Sequence, residues 1–257
     1  MERTVLNTLL DEQENGVHGG LYHRMQVDFA YNSNHIEGSR LTHDQTRLIY
    51  ETQTIGETAL VNDVIETVNH FRCFDRILQT VHEPVTEDYI KELHRMLKNG
   101  VMQGRGDAAV IGDYKQYANT VGKITTAKPG EVPEKMRELL EQFAQVAQPD
   151  LYDIAKFHAD FEQIHPFYDG NGRIGRLLMF KQCLAAGIVP FFISDFNKMF
   201  YYLGLQEWQT EEKPMRLLDV FLSAQDDMSQ ILDYFEIEYQ KKKDSARTIL
   251  MQHGLLG

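Results

Sequence analysis

Residues 165–176 read HPFYDGNGRIGR. The stretch before them carries Leu151, Ile154, Phe157, Phe161 and Ile164 at steps of three and four, a helical stripe. Leu177, Leu178, Met179 and Phe180 start another apolar run directly after. The segment is therefore predicted to be a helix–loop–helix turn, with Gly170, Gly172 and Gly175 letting the backbone curl tightly. Such a turn exposes consecutive N–H groups, and the following helix adds its unpaired N–H groups and the positive end of its dipole. Together they form an anion nest of the kind that holds phosphates. Arg173 and Arg176 are three residues apart, so both stand on the helix's first turn within reach of a phosphate chain. Asp169 beside the nest is a natural magnesium ligand, because magnesium takes one or two carboxylates plus phosphate oxygens. His165 supplies a side chain that can be neutral and basic near pH 7.

Other readings of the same residues are weaker. Gly170-x-Gly172-x-x-Gly175 matches a dinucleotide fingerprint with Asp195 downstream, but that motif must follow a strand, and a helical stripe precedes it here. A P-loop fails because Gly122-Lys123 is followed by Ile124. His158, Glu162 and His165 have helical spacing that could gather a zinc ion, although no HExxH pattern exists.

Composition bounds the remainder. The 257 residues carry a net charge of −12, hydrophobic residues make up 42% and charged residues 25%. These values exclude wholesale disorder and a nucleic-acid coat, which needs a basic face. Two arginines against one aspartate nevertheless leave the 165–176 turn locally positive. Cys73 and Cys183 are too few for a disulfide scaffold and read as reduced thiols of a cytoplasmic protein. No signal peptide is read in MERTVLNTLLDEQENG, and the most apolar run, Cys183 to Ile193, is too short for a membrane span and contains Pro190.

Helical stripes recur at Val61–Phe71, at Ile90–Leu97 behind a Thr86 N-cap, at Met136–Val146 and at Leu217–Phe235. Residues 112–133, GDYKQYANTVGKITTAKPGEVP, break the pattern and suit a short two-stranded flap. The expected organisation is one mainly α domain: a helical N-terminal extension over 1–55, a core over 56–240, and a tail over 241–257 that frays from the preceding helix.

HPFYDGNGRIGR fills every fixed position of the signature His-x-Phe-x-(Asp/Glu)-Gly-Asn-Gly-Arg-x-x-Arg and so resembles the Fic family of AMP transferases. Similarity extends over residues 30–225. Ser33-Asn-His-Ile-Glu37-Gly38 looks like the family's inhibitory motif, placed as in the class with an N-terminal inhibitory helix. The 112–126 segment sits where the family has its target-docking flap. Tyr201, Tyr202 and Leu205 fall where Fic proteins line the adenine pocket, and Gln209 stands near a position where some relatives carry Asn.

The resemblance implies a Fic-type helical bundle with a small β-hairpin flap, and a role for each residue. His165 is the general base toward a target hydroxyl, and Asp169 holds magnesium. Gly170, Asn171 and Gly172 form the anion hole. Arg173 grips the phosphates near the β position, and Arg176 grips the γ-phosphate. Glu37 pairs with Arg176 and keeps it from ATP. The implied activity is autoinhibited transfer of AMP from ATP to a Ser, Thr or Tyr hydroxyl of a protein, with pyrophosphate released. Removal of AMP, transfer of UMP, phosphocholine or phosphate by the same fold, and a decayed binding module are the alternatives. Implied partners are ATP and a protein target at the flap, with self-modification and a homodimer as further expectations, and neither nucleic acid nor membrane.

Overall fold

The computed structural model describes residues 4–102, 110–121, 124–240 and 244–256. Among these, eleven α-helices follow the apolar stripes. Helices α1 (Val5–Asn15), α2 (Leu21–Ile36) and α3 (His43–Thr52) come first, followed by α4 (Val61–Gln79) and α5 (Glu87–Lys98). After the flap come α6 (Val132–Ala144), α7 (Leu151–Ile164), α8 (Asn171–Ala185), α9 (Lys198–Glu211), α10 (Met215–Tyr234) and α11 (Ala246–Gln252). Local chemistry sets several starts. Thr86 caps α5 by accepting from the Tyr89 N–H, and Thr42 and Asp150 close capping boxes at α3 and α7.

Helix α8 is the axis of the bundle. Every residue from Asn171 to Leu184 is buried, so the helix is enclosed all round, with α2, α4, α5 and α7 packed against it. The apolar part of this enclosure is aromatic. Phe180 stacks on Phe29 of α2 with ring centroids 5.3 Å apart and meets Phe74 of α4 edge-on at the same distance. One hydrophobic cluster runs from Leu9 in α1 to Leu250 in α11.

The flap is a two-stranded antiparallel hairpin, β1 (Thr120–Val121) and β2 (Ile124–Thr125), paired Thr120 to Thr125 and Val121 to Ile124. Its turn residues, Gly122 and Lys123, lie outside the described residues, as do Lys241–Lys243. The chain end departs from the expected fraying. Ser245 caps a separate helix, α11, whose Ala246, Ile249 and Leu250 are buried and which packs on α7 and α10. Apolar residues at i, i+3 and i+4 give it a face to bury, which the Lys run and terminal Gly concealed in the sequence.

Gly204 permits a close approach between two helices. A Cβ there would fall 2.9 Å from the backbone N and Cα of Leu217, where α9 meets α10. Gly204→Ala is expected to destabilise the fold by roughly 1–3 kcal/mol through overpacking. Gly130→Ala, with nothing within 4 Å, is expected to stay within about 0.5 kcal/mol of the parent. Chemical denaturation of both variants checks this, and equal midpoints would contradict it.

Candidate active site

The 165–176 turn is held from below. His165 ends α7 in the left-handed region at φ 52°, and Gly170 opens α8 at φ 88°. A positive φ costs glycine little but strains other residues, so His165 is held there by its surroundings. Phe167 is fully buried beneath the loop. The Asn171 side chain staples the loop shut, accepting from the Phe167 N–H at 2.8 Å and donating to the Phe167 carbonyl at 2.9 Å. His94 of α5, which sequence reading did not single out, is a second strut. It lies parallel to the Phe167 ring at 3.9 Å, accepts from the Gly112 N–H at 2.9 Å and donates to the Asp169 carbonyl at 3.1 Å. Burial lowers its pKa to about 4, matching the neutral tautomer those two bonds require.

Gly170 offers no side-chain cap, and the first bond into α8 is Ile174 N–H to Gly170 C=O at 3.1 Å. The first-turn N–H groups therefore face the turn's open side without intrahelical partners. Around that opening stand two buried arginines with separate carboxylates. Arg173 meets Glu66 of α4 at 2.6 Å and Asp169 at 3.4 Å, while its Nε has no partner among the described residues. Asp169 accepts also from Lys98 at 2.5 Å and from the Gly170 N–H at 2.7 Å. Burial pushes the Asp169 carboxyl up, but the charges of Arg173 and Lys98 outweigh it and bring the pKa down to about 2.

Arg176 reaches the other way, to the end of α2. It donates to Ser33 Oγ at 3.0 Å, to the Ser33 carbonyl at 2.8 Å and to Glu37 Oε1 at 2.7 Å. Burial works against its charge, and the adjacent Glu37 carboxylate more than restores it, so its pKa is raised. A Cβ on Gly172 would collide with the Glu37 carboxylate. Glu37 thus lies against the first turn of α8 as well as on Arg176.

His165 stands beside the flap's base. Burial, and next the charge of Lys115, lower its pKa to about 4, so the imidazole is neutral at neutral pH. Lys115 is itself buried, with no carboxylate of the described residues on its ammonium: Nζ donates to Asn119 Oδ1 and Thr126 Oγ1, each at 2.8 Å, and lies 3.5 Å from the Ile164 carbonyl. Its backbone N–H donates to the Pro166 carbonyl at 2.9 Å. The flap is therefore tied to the chain on both sides of His165. Neither Lys115 nor Glu66 stood out in the sequence, because a lone Lys or Glu has no local signature.

The profile of the Fic/DOC family matches residues 84–183. Residues 84–183 thus form a Fic/DOC-family domain. It is 30% identical over 184 residues to protein adenylyltransferase Fic of Nematostella vectensis, an alignment covering 69% of this chain and 42% of that protein. It is 27% identical over 186 residues to protein adenylyltransferase fic-1 of Caenorhabditis briggsae, covering 69% and 35%. The chain thus spans about two fifths of the length of these relatives. Its fold is similar to a Fic-domain signaling protein from Bacteroides thetaiotaomicron, with TM-score 0.74, 24% identity, and coverage of 92% of this chain and 99% of that one. A C. elegans Fic-1 structure gives TM-score 0.69 at 18% identity, covering 90% and 72%.

The remaining Fic-motif expectations fall as follows. Tyr201 of α9 is buried beneath Arg176, its ring 6.0 Å from the guanidinium, and its hydroxyl is 2.7 Å from His158. Tyr202 donates to the Ile36 carbonyl at 3.2 Å, next to Glu37. Leu205 is buried, and Gln209 donates to the Ala159 carbonyl of α7 at 3.0 Å. Among the described residues, His158, Glu162 and His165 do not converge as metal ligands; the only such grouping is Asp150, Asp153 and His253, far along α7. Glu162 instead places Oε1 beside Gly175 with no hydrogen-bond partner among the described residues, and burial raises its pKa to about 8. Asp169, ionised and half exposed at the rim of the nest, suits the magnesium that the Fic fold implies, since substrate phosphates complete that ion's shell. No helix among the described residues is long and apolar enough to cross a membrane.

Burial disfavours charged imidazole, so His165 is depressed from its ordinary 6.5 to about 4, and His70, His94 and His158 move the same way. The stability these groups contribute is full above pH 6.5 and is lost as pH falls toward 4. The His165 ring resonance, assigned in NMR by its loss in His165→Ala, is expected to keep its neutral shift down to pH 5. A midpoint near 6.5 would contradict the buried, neutral imidazole.

Proposed function

We propose that this chain is an autoinhibited protein adenylyltransferase that moves AMP from ATP to a Ser, Thr or Tyr hydroxyl of a protein. The observation that carries the reading is the 2.7 Å pair between Arg176 and Glu37, set against Gly172 at the mouth of the anion nest. The names of the curated relatives support the reaction class. In this reading the neutral His165 imidazole accepts the target hydroxyl proton as the oxygen attacks the α-phosphorus. The bond from that phosphorus to the bridging oxygen of the β-phosphate breaks, and pyrophosphate leaves with the electron pair. The first-turn N–H groups of α8 and Arg173, whose Nε has no partner among the described residues, hold the phosphates as charge shifts onto the leaving group. Magnesium, held by Asp169, would neutralise part of that charge. The flap, tied through Lys115 to both neighbours of His165, would bring an extended target segment to the imidazole by strand addition. Tyr201, Tyr202 and Leu205 would border the adenine.

Glu37 inhibits by occupying Arg176. ATP enters with its γ-phosphate unheld, and the α-phosphorus is out of line for attack. The same carboxylate could orient a water for AMP removal, which is the second reading.

Transfer of radiolabelled AMP from ATP, measured on cell lysate and on the protein itself, tests the proposal. Glu37→Gly is expected to raise transfer a hundredfold to a thousandfold, about 3–4 kcal/mol of barrier. His165→Ala in that background is expected to abolish transfer while ATP binding persists. Equal transfer by wild type and Glu37→Gly would remove the autoinhibition, and transfer surviving in His165→Ala would remove the base. Release of AMP from a modified target without added ATP would favour the second reading.

A further inference from the structure

Lys98, the last residue of α5, lies outside the Fic signature, yet its ammonium is the nearest cation to the signature's carboxylate. It is 7% exposed and sits between two anions, Asp169 Oδ2 at 2.5 Å and Glu66 Oε1. The second Glu66 oxygen holds Arg173 at 2.6 Å, and Arg173 returns to Asp169 Oδ1 at 3.4 Å. Two cations and two carboxylates thus form a closed, neutral ring. Every Asp169 oxygen is engaged, Oδ1 by the Gly170 N–H and Arg173 and Oδ2 by Lys98.

The ring is asymmetric. The Asp169 side chain is 53% exposed, whereas those of Lys98 and Glu66 are 9% and 15% exposed. A hydrated cation can therefore reach Asp169 from solvent, while Lys98 approaches it from within. An ammonium on Oδ2 and a divalent cation at the roughly 2.1 Å distance of a magnesium–oxygen bond cannot share that oxygen without strong repulsion. Lys98 has a ready retreat. Its flexible stem and three donors allow a short swing onto Glu66, which it already touches.

We propose that Lys98 is the resident counter-cation of Asp169: it holds Oδ2 and withdraws onto Glu66 when a divalent cation binds. The inference rests on the reading of Asp169 as metal ligand given above. It makes Glu66 the anchor that keeps both Lys98 and Arg173 paired in either state. It also explains how a single carboxylate avoids capturing metal before nucleotide arrives. The metal must displace a bound charge, and the nucleotide's phosphates supply negative charge that offsets the cost.

Binding of Mn2+ alone, followed by loss of the free-ion EPR signal, tests this. Lys98→Gln is expected to bind Mn2+ roughly tenfold tighter than wild type, the scale of removing one close competing charge. Lys98→Arg should bind as weakly as wild type, and Asp169→Asn added to Lys98→Gln should erase the gain. Should Lys98→Gln not fold, Lys98→Met carries the same comparison. Equal Mn2+ affinity in wild type and Lys98→Gln overturns the proposal. So does loss of metal-free ADP binding in Lys98→Gln, which would make Lys98 a phosphate ligand. Failure of both proteins to bind Mn2+ even with ADP present would instead remove Asp169 as metal ligand, and the inference with it.

Discussion

A guanidinium cannot be buried without an anion, and this bundle buries two of them on one turn. Arg173 and Arg176 are 3% and 1% exposed at the start of a helix that is enclosed on every face. Leaving either without a partner would cost several kcal/mol. The surrounding elements meet that demand. Helix α4 brings Glu66, the turn brings Asp169, and the end of α2 brings Ser33 and Glu37. The N-terminal helices are therefore part of the site's electrostatics. Glu37 is the carboxylate that satisfies Arg176.

The same pairing accounts for the site's protonation pattern. Burial keeps His165 neutral, and the positive charge of Lys115 lies beside it. The charges of Arg173 and Lys98 keep Asp169 ionised against its burial. A neutral imidazole and an ionised carboxylate thus stand in one turn. Different neighbours push the two groups to opposite protonation states, the arrangement that acid–base sites use. The chain's overall charge of −12 hides this, because the positive balance is confined to a few buried side chains.

Much of this was legible in the sequence. Glycines at 170, 172 and 175 with Arg173 and Arg176 on one helical turn pointed to an anion nest, and the apolar stripes foretold α4, α5, α7 and α10 as helices. The composition of 112–133, with Val-Gly-Lys at its centre, pointed to the flap hairpin. Less legible were contacts made across the fold. His94 lies 75 residues from Asp169, and Glu66 more than 100 from Arg173. A single His or Glu on an amphipathic helix carries no mark of such a partner. The Asn171 side chain is a related case: the motif implies an anion hole, yet its amide is spent closing the loop, so only its backbone N–H can serve a ligand. Helix α11 escaped because its short apolar face lies between a Lys run and a terminal glycine.

The central claim is that Glu37 withholds Arg176 from the third phosphate, and calorimetric binding of ATP and ADP isolates that phosphate. The account predicts that wild type binds the two nucleotides with nearly equal affinity, whereas Glu37→Gly binds ATP roughly tenfold or more tighter than ADP, about 1.4 kcal/mol for the released arginine. The same ATP-to-ADP ratio in both proteins would contradict it.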